Sequence, residues 1–240
     1  MTGLNTKGHS AISSMFDNIS ERYDLLNHLL SLGIDKLWRR VLVKHVVACG
    51  SKKTLDIACG TGDITIALWK KGIEVTGLDI AQKMIDIAKN KLSQMKSRGK
   101  ELPRFFLAPA ENLPFEPGTY DAVTIGFGIR NFENRETALV EINKVLRPGG
   151  LIAILEFSTP VNPVWRRIYT LYFNNIIPFI GRIISKDPQA YSYLPGSVKS
   201  FPASGEFCKE LSSAGFINVS AKALSGGVAV LYLANSKSIS

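Results

Sequence analysis

From Thr54 onward the chain switches repeatedly between short apolar runs of strand length and amphipathic runs of helix length. Thr54–Cys59, Glu74–Leu78, Arg104–Leu107, Tyr120–Ile125 and Leu151–Phe157 read as strands, with helices over Ile64–Lys71, Gln82–Ser97 and Glu136–Leu146. Strands that alternate with helices imply a parallel sheet wound with right-handed crossovers. The end of the chain departs from this rhythm. After a helix over Gly205–Ala214, the strands Phe216–Ala223 and Val228–Ala234 are joined by a short Gly-Gly turn, so a hairpin closes the sheet. The expectation is a doubly wound, mostly parallel, seven-stranded α/β sheet. Residues 1–48 form a helical segment packed on the core, with an apolar stripe at Leu25, Leu26, Leu29 and Leu30 and a second helix from Lys36 to about Val47 capped by Asp35. Residues 49–240 form the main domain. Within it, 159–204 breaks the βα rhythm and is expected to be a helical cap over the carboxyl ends of the strands.

Composition narrows the function classes. The chain of 240 residues is 45% hydrophobic and 20% charged, which excludes global disorder. Cys49, Cys59 and Cys208 are scattered without a C-x-x-C pair, so neither a disulfide framework nor a metal site is expected. The start MTGLNTKGHS lacks the apolar stretch of a signal peptide, and the longest uncharged run, Ile168–Gly181, is interrupted by Asn174, Asn175 and Pro178. A cytoplasmic location is expected. The net charge is +9, and the basic excess is densest in 81–104 and 160–200. Nucleic acid and an anionic membrane surface are both compatible partners; a solvated helix face is the plain alternative.

The first strand runs into Asp56-Ile57-Ala58-Cys59-Gly60-Thr61-Gly62-Asp63, which opens a helix. Glycines there let a ligand approach the backbone closely. Asp79 ends the next strand, nineteen positions after Gly60, a spacing suited to a carboxylate that accepts both hydroxyls of a ribose. A dinucleotide site would want a third glycine at position 65, where Thr65 stands. It would also place a pyrophosphate at a helix amino terminus, where Asp63 repels it. S-adenosylmethionine has no phosphate, and its ammonium can be received by Asp56 or Asp63. The acidic loop favours that cofactor. Together with Asp79 and the closing hairpin, it gives the pattern of class I S-adenosylmethionine-dependent methyltransferases. Pro109–Phe115 is similar to the stretch that holds adenine in such enzymes. Pro109 stands where a polar side chain is usual, which leaves the adenine to the backbone of Ala110 or to Glu111.

The fourth strand ends in Gly126-Phe127-Gly128-Ile129-Arg130-Asn131-Phe132, next to the expected ligand crevice. With Tyr23–Trp38, Arg147-Pro148-Gly149-Gly150, Glu156-Phe157-Ser158 and Tyr191–Ser197, this run makes the chain resemble the quinone-biosynthesis C-methyltransferases from about Phe16 to Ala234. The resemblance implies methylation of demethylmenaquinol, with a 2-methoxy-6-polyprenyl-1,4-benzoquinol as the alternative substrate. It also implies that Asn131 and Tyr23 face the ring oxygens and that Gly126 borders the cofactor. Leu26, Gly126 and Gly196 depart from the family's usual residues.

The chemistry itself sets a requirement. An aromatic carbon attacks a methyl group when a ring hydroxyl ionises, and a phenol does so only near pH 10 unless the site helps. Arg130 is suited to hold the phenolate, because its charge is permanent; a structural salt bridge is its alternative role. His28 and His45 are expected in packing or surface roles, and Cys59 in packing. The cap stripe Ile168, Leu171, Tyr172, Ile176, Phe179, Ile180 and Ile183 is either core or a passage for a polyprenyl tail. In the second case Arg166, Arg167, Arg182 and Lys186 would touch anionic headgroups. The expected partners are thus a lipophilic polyprenyl quinol and a membrane surface, with no nucleic acid; a homodimer is an option that no residue pattern decides. An RNA or DNA methyltransferase is disfavoured, since no Asn-Pro-Pro-Tyr-like run or nearby cysteine follows the fourth strand. A cofactor-binding regulator would leave Arg130 and Asn131 dispensable.

Overall fold

A computed structural model describes residues 8, 12–18, 20, 31, 33–97, 99, 101–171 and 196–237. Seven strands form one sheet: β1 (Lys53–Ile57), β2 (Glu74–Asp79), β3 (Arg104–Leu107), β4 (Tyr120–Gly126), β5 (Leu146–Phe157), β6 (Phe216–Leu224) and β7 (Ala229–Ser236). Their spatial order is β3-β2-β1-β4-β5-β7-β6. The pairs among β1 to β5 are parallel, whereas β7 runs antiparallel to both β5 and β6. The helices are α1 (Ile34–Ala48), α2 (Asp63–Lys70), α3 (Gln82–Ser93), α4 (Arg135–Val145), α5 (Pro163–Leu171) and α6 (Ser204–Ser213).

Strand alternation divides the core between two faces. Leu55, Ile57, Val123 and Ile125 pack with α4 and α6 through Leu139, Ile142 and Phe207. Ala122, Ala153 and Leu155 pack on the other face with Trp38 and Leu42 of α1 and Leu68 of α2. The sheet, the hairpin and the order of elements agree with the sequence. Two local expectations do not hold. Asp35 does not cap α1: Gly33 occupies the cap with φ 75°, and Asp35 is buried in the first turn, accepting a hydrogen bond from Ser31 Oγ at 2.7 Å. The fifth strand begins not at Leu151 but at Leu146, with 146–150 as its irregular start. Leu146 pairs with Tyr120 across a register shift, and Gly149 supplies the positive φ.

Trp38 fixes α1 to the closing hairpin. Its indole Nε1 donates to Ser225 Oγ at 2.9 Å, and its ring lies 6.1 Å from Phe127 and 6.2 Å from Phe157. On α5, Arg166 and Arg167 are exposed, as is Leu171. The side chain of Ile168, the rest of the cap stripe from Tyr172 onward, Arg182, Lys186, Tyr23, His28 and Tyr191–Pro195 lie outside the described residues. No described helix is long and apolar enough to cross a membrane.

Candidate active site

A narrow cleft of about 60 Å³ opens at the carboxyl ends of β1, β2 and β4. Its walls come from the residues just past each strand, and two of these adopt unusual backbone. Ala58 (φ 51°) and Phe127 (φ 60°) are non-glycine residues in left-handed conformations, the kind of strain that fixed functional loops store. Gly128 is required beside them, since a Cβ there would lie 2.5 Å from the Ala58 Cβ.

Asp79 is the best-defined group. Its carboxylate accepts hydrogen bonds from Gly60 N at 2.8 Å and Ala81 N at 2.9 Å, so it ties the glycine loop to the end of β2. Burial raises its pKa, against the lowering effect of the backbone donors at Ala81, Gly60 and Ile80. Lone pairs beyond those two bonds remain for hydroxyl donors in the cleft. Among the described residues lining the cleft, the charged ones are Asp79 and Glu111, both acidic. Such walls repel a pyrophosphate and suit a nucleoside carrying a cationic sulfonium. The residues therefore fit S-adenosylmethionine.

The structure sorts the expected site residues into two groups. Gly60, Asp79, Ala110, Gly126 and Asn131 line the cleft. Glu111 lines it too, while its Oε1 accepts from Asn134 N at 3.1 Å. Gly126 also answers a packing need, because a Cβ there would collide with Ile64 Cδ1.

The second group lies off the lining. Asp56 is fully buried, and its oxygens accept from Thr65 Oγ1 at 2.6 Å and Thr124 Oγ1 at 2.7 Å. Burial lifts its pKa to about 6, offset in part by those two hydroxyls and by Arg39. It braces β1, β4 and α2 through these bonds. Asp63 is engaged by Lys91 at 3.0 Å and Arg39 at 3.8 Å. Thr61 is buried and accepts from Lys91 Nζ at 3.0 Å, and Gly62 (φ 83°) closes the loop onto Cys59 O. Pro109 contributes its carbonyl to Asn112 N at 3.3 Å.

Arg130 takes the structural position that was its alternative. Its guanidinium is 7% exposed and pairs with the fully buried Glu156 at 2.9 Å. It also donates to the Phe127 carbonyl and, at 3.2 Å, to Ser197 Oγ. The charge is therefore already compensated, and what it organises is the loop from Phe127 to Asn131. Glu156 was visible only as part of a motif; its role emerges because β5 ends beside β4. Ile12 and Phe16, which also line the cleft, carried no sequence signal beyond ordinary helix pattern. Their stretch, 12–18, is held by Ser13 Oγ to Ile80 O at 2.9 Å and by Lys83 N to Asp17 Oδ1 at 2.9 Å. Cys59 is buried, which raises its thiol pKa, and it sits in packing as expected.

Residues 2–236 match the model of the ubiE/COQ5 methyltransferase family. The chain is 41% identical over 236 residues to the ubiquinone/menaquinone biosynthesis C-methyltransferase UbiE of Geobacter sp. (strain M21), covering 97% of this chain and 99% of that one. It is 38% identical over 233 residues to the demethylmenaquinone methyltransferase of Staphylococcus aureus (strain JH9), covering 95% and 94%. Among solved structures it is similar to the [4+2]-cyclase SpnF, with TM-score 0.70 and 14% identity over 96% of this chain and 97% of that one. It is also similar to a Thermotoga maritima S-adenosylmethionine-dependent methyltransferase, with TM-score 0.61 and 16% identity over 93% and 99%. These structural likenesses establish the class I methyltransferase fold.

Proposed function

The chain belongs to the ubiE/COQ5 methyltransferase family, and from that premise we propose that it methylates a ring carbon of demethylmenaquinol. It is an S-adenosylmethionine-dependent C-methyltransferase of quinone biosynthesis. The naphthoquinol, as against a polyprenyl benzoquinol, is our reading, supported by the 38%-identical relative that carries the demethylmenaquinone name.

When bound, S-adenosylmethionine supplies the methyl group, which passes from sulfur to the ring carbon as the ring proton is lost. Asp79 would hold the ribose hydroxyls, kept in place by its bonds to Gly60 N and Ala81 N. The backbone of Ala110, with Glu111, would border the adenine. Gly126 borders the cleft through its backbone, with Ile64 packed where a side chain would stand. Asn131 lines the cleft and is assigned to a ring oxygen; Tyr23 is assigned to the same task by resemblance. Arg130, paired with Glu156, is a positioning residue that holds Phe127 and Asn131 at the strand end. We place the enzyme in the cytoplasm, in contact with the membrane that holds its lipophilic substrate.

The observation that carries this reading is Asp79, bonded to both neighbouring turns in a cleft whose charged walls, among the described residues, are acidic. Purified protein is assayed with methyl-labelled S-adenosylmethionine and each reduced quinone. Label in the naphthoquinol, with less in the benzoquinol, is the expected outcome. Cofactor binding without label in either quinol refutes the reaction, and preferential labelling of the benzoquinol reassigns the substrate.

A further inference from the structure

A second, larger groove of about 660 Å³ lies on the α1, α2 and α3 side of the sheet. Its rim is strongly basic: Lys36, Arg40 and Lys44 come from α1, Lys70 and Lys71 from the end of α2, and Lys91 from α3. Among the described residues lining it, Arg39 adds a seventh cation against a single acid, Asp63. Its floor is apolar, built from Val43, Val47, Ile66, Ala67 and Met95. Lys36, Arg40 and Lys44 are spaced four apart and exposed, so they form one stripe along the helix. Like charges at that spacing repel, so the stripe costs helix stability rather than adding to it. Among the described residues, Lys36, Arg40, Lys44 and Lys71 enter no salt bridge.

The groove adjoins the active-site cleft. Arg39 lines the groove and lies 5.4 Å over the Phe127 ring, while Phe127 lines the cleft. Lys91 reaches from the groove to Thr61 and Asp63 at the glycine loop, 3.0 Å from each.

We propose that this groove docks the enzyme on an anionic phospholipid surface, with headgroup phosphates on the α1 stripe and the rim lysines and acyl chains against the Val43–Met95 floor. Charge complementarity selects an anionic partner, and the apolar floor selects an amphiphile. Leu37 of α1, 54% exposed, extends the apolar surface next to the stripe. A surface for single-stranded nucleic acid would offer aromatic rings for stacking, and none of the described residues lining the groove is aromatic. The proposal stands independently of which quinol is methylated, and it locates the contact on α1 rather than on the cap residues Arg166 and Arg167.

The full chain is floated with phosphatidylcholine vesicles containing or lacking phosphatidylglycerol. Binding to the anionic vesicles only is expected, with release as salt shortens the screening length from about 10 Å at 0.1 M to about 3 Å at 1 M. Each cation near such a surface contributes a several-fold gain, so the combined K36E, R40E and K44E variant is expected to lose about 100-fold or more in partitioning. R166E with R167E is expected to change it by no more than a few-fold. Calorimetric binding of S-adenosylhomocysteine verifies the fold of each variant, and the milder K36Q, R40Q and K44Q combination, expected to weaken binding in the same direction, serves if the reversal does not fold. Unchanged partitioning after altering the α1 stripe overturns the proposal, as does equal binding to neutral vesicles. Tighter capture of a single-stranded RNA through the same stripe also overturns it, and so does full displacement from vesicles by millimolar inorganic phosphate.

Discussion

Removing one partner of a buried ion pair leaves the other charge in surroundings that solvate it poorly. Arg130 and Glu156 are 7% and 0% exposed, so Arg130→Ala is expected to cost about 3–5 kcal/mol. In a chain of this size that lowers Tm by about 6–20 °C. The double variant Arg130→Met with Glu156→Leu is expected to melt above Arg130→Ala, because no lone charge remains; thermal denaturation of the three proteins decides it. Asp56 carries a different signature. Its pKa of about 6, set by burial, lies above its unfolded value near 4. Below pH 4 it is protonated folded and unfolded alike. Between about pH 4 and 6 only the folded chain keeps the proton, so stability falls as pH rises through that window, by about 3 kcal/mol in total. Urea titrations of the wild type and Asp56→Asn at several pH values should show this slope in their difference; a flat difference refutes it. The sequence placed Asp56 on a ligand loop because it precedes the glycines. Its bracing role was not legible: Asp56 pairs with Thr124 on β4 and meets Thr65 from α2, neighbours that only the folded sheet brings together.

At the scale of elements, the cleft is smaller than its expected cofactor. Ligand pockets run to roughly 300–1,000 Å³, against about 60 Å³ here. Ile12 and Phe16 occupy one wall, and their stretch is held to the β2–α3 junction through Ser13 and Asp17. A shift of 12–18 would widen the cleft along that wall. Asp17→Ala removes the acceptor for Lys83 N, and it is expected to raise the association rate of S-adenosylmethionine a few-fold in stopped-flow fluorescence. An unchanged rate would show that this stretch does not gate the cleft. The alternating elements themselves were legible from Thr54 onward, because apolar period and glycine punctuation report local structure directly. The start of β5 was not, since Pro148-Gly149-Gly150 has turn chemistry and joins the sheet only through the pairing of Leu146 with Tyr120. Asp79, Gly60, Ala110, Gly126 and Asn131 converge because parallel strands deliver all their carboxyl ends to one edge, which topology alone predicts.

At the scale of the molecule, the charge of +9 is distributed by helix packing rather than by position in the chain. Linear windows singled out 81–104 and 160–200. The basic groove instead gathers Lys36, Arg39, Arg40, Lys44, Lys70, Lys71 and Lys91 from three helices, of which only Lys91 lies in either window. The position of β7 bears on how such a chain is made. It is the last strand in sequence, yet it sits between β5 and β6 and pairs with both. While the chain emerges from the ribosome, β5 keeps an open, apolar edge, and β6 has no neighbour to join until Ala229–Ser236 has been synthesised. A chain ending at residue 228 is expected to accumulate in the insoluble fraction on expression, and soluble, cofactor-binding product would contradict this. The final strand acts as a fastener, joining β6 to the rest of the sheet only once it is in place.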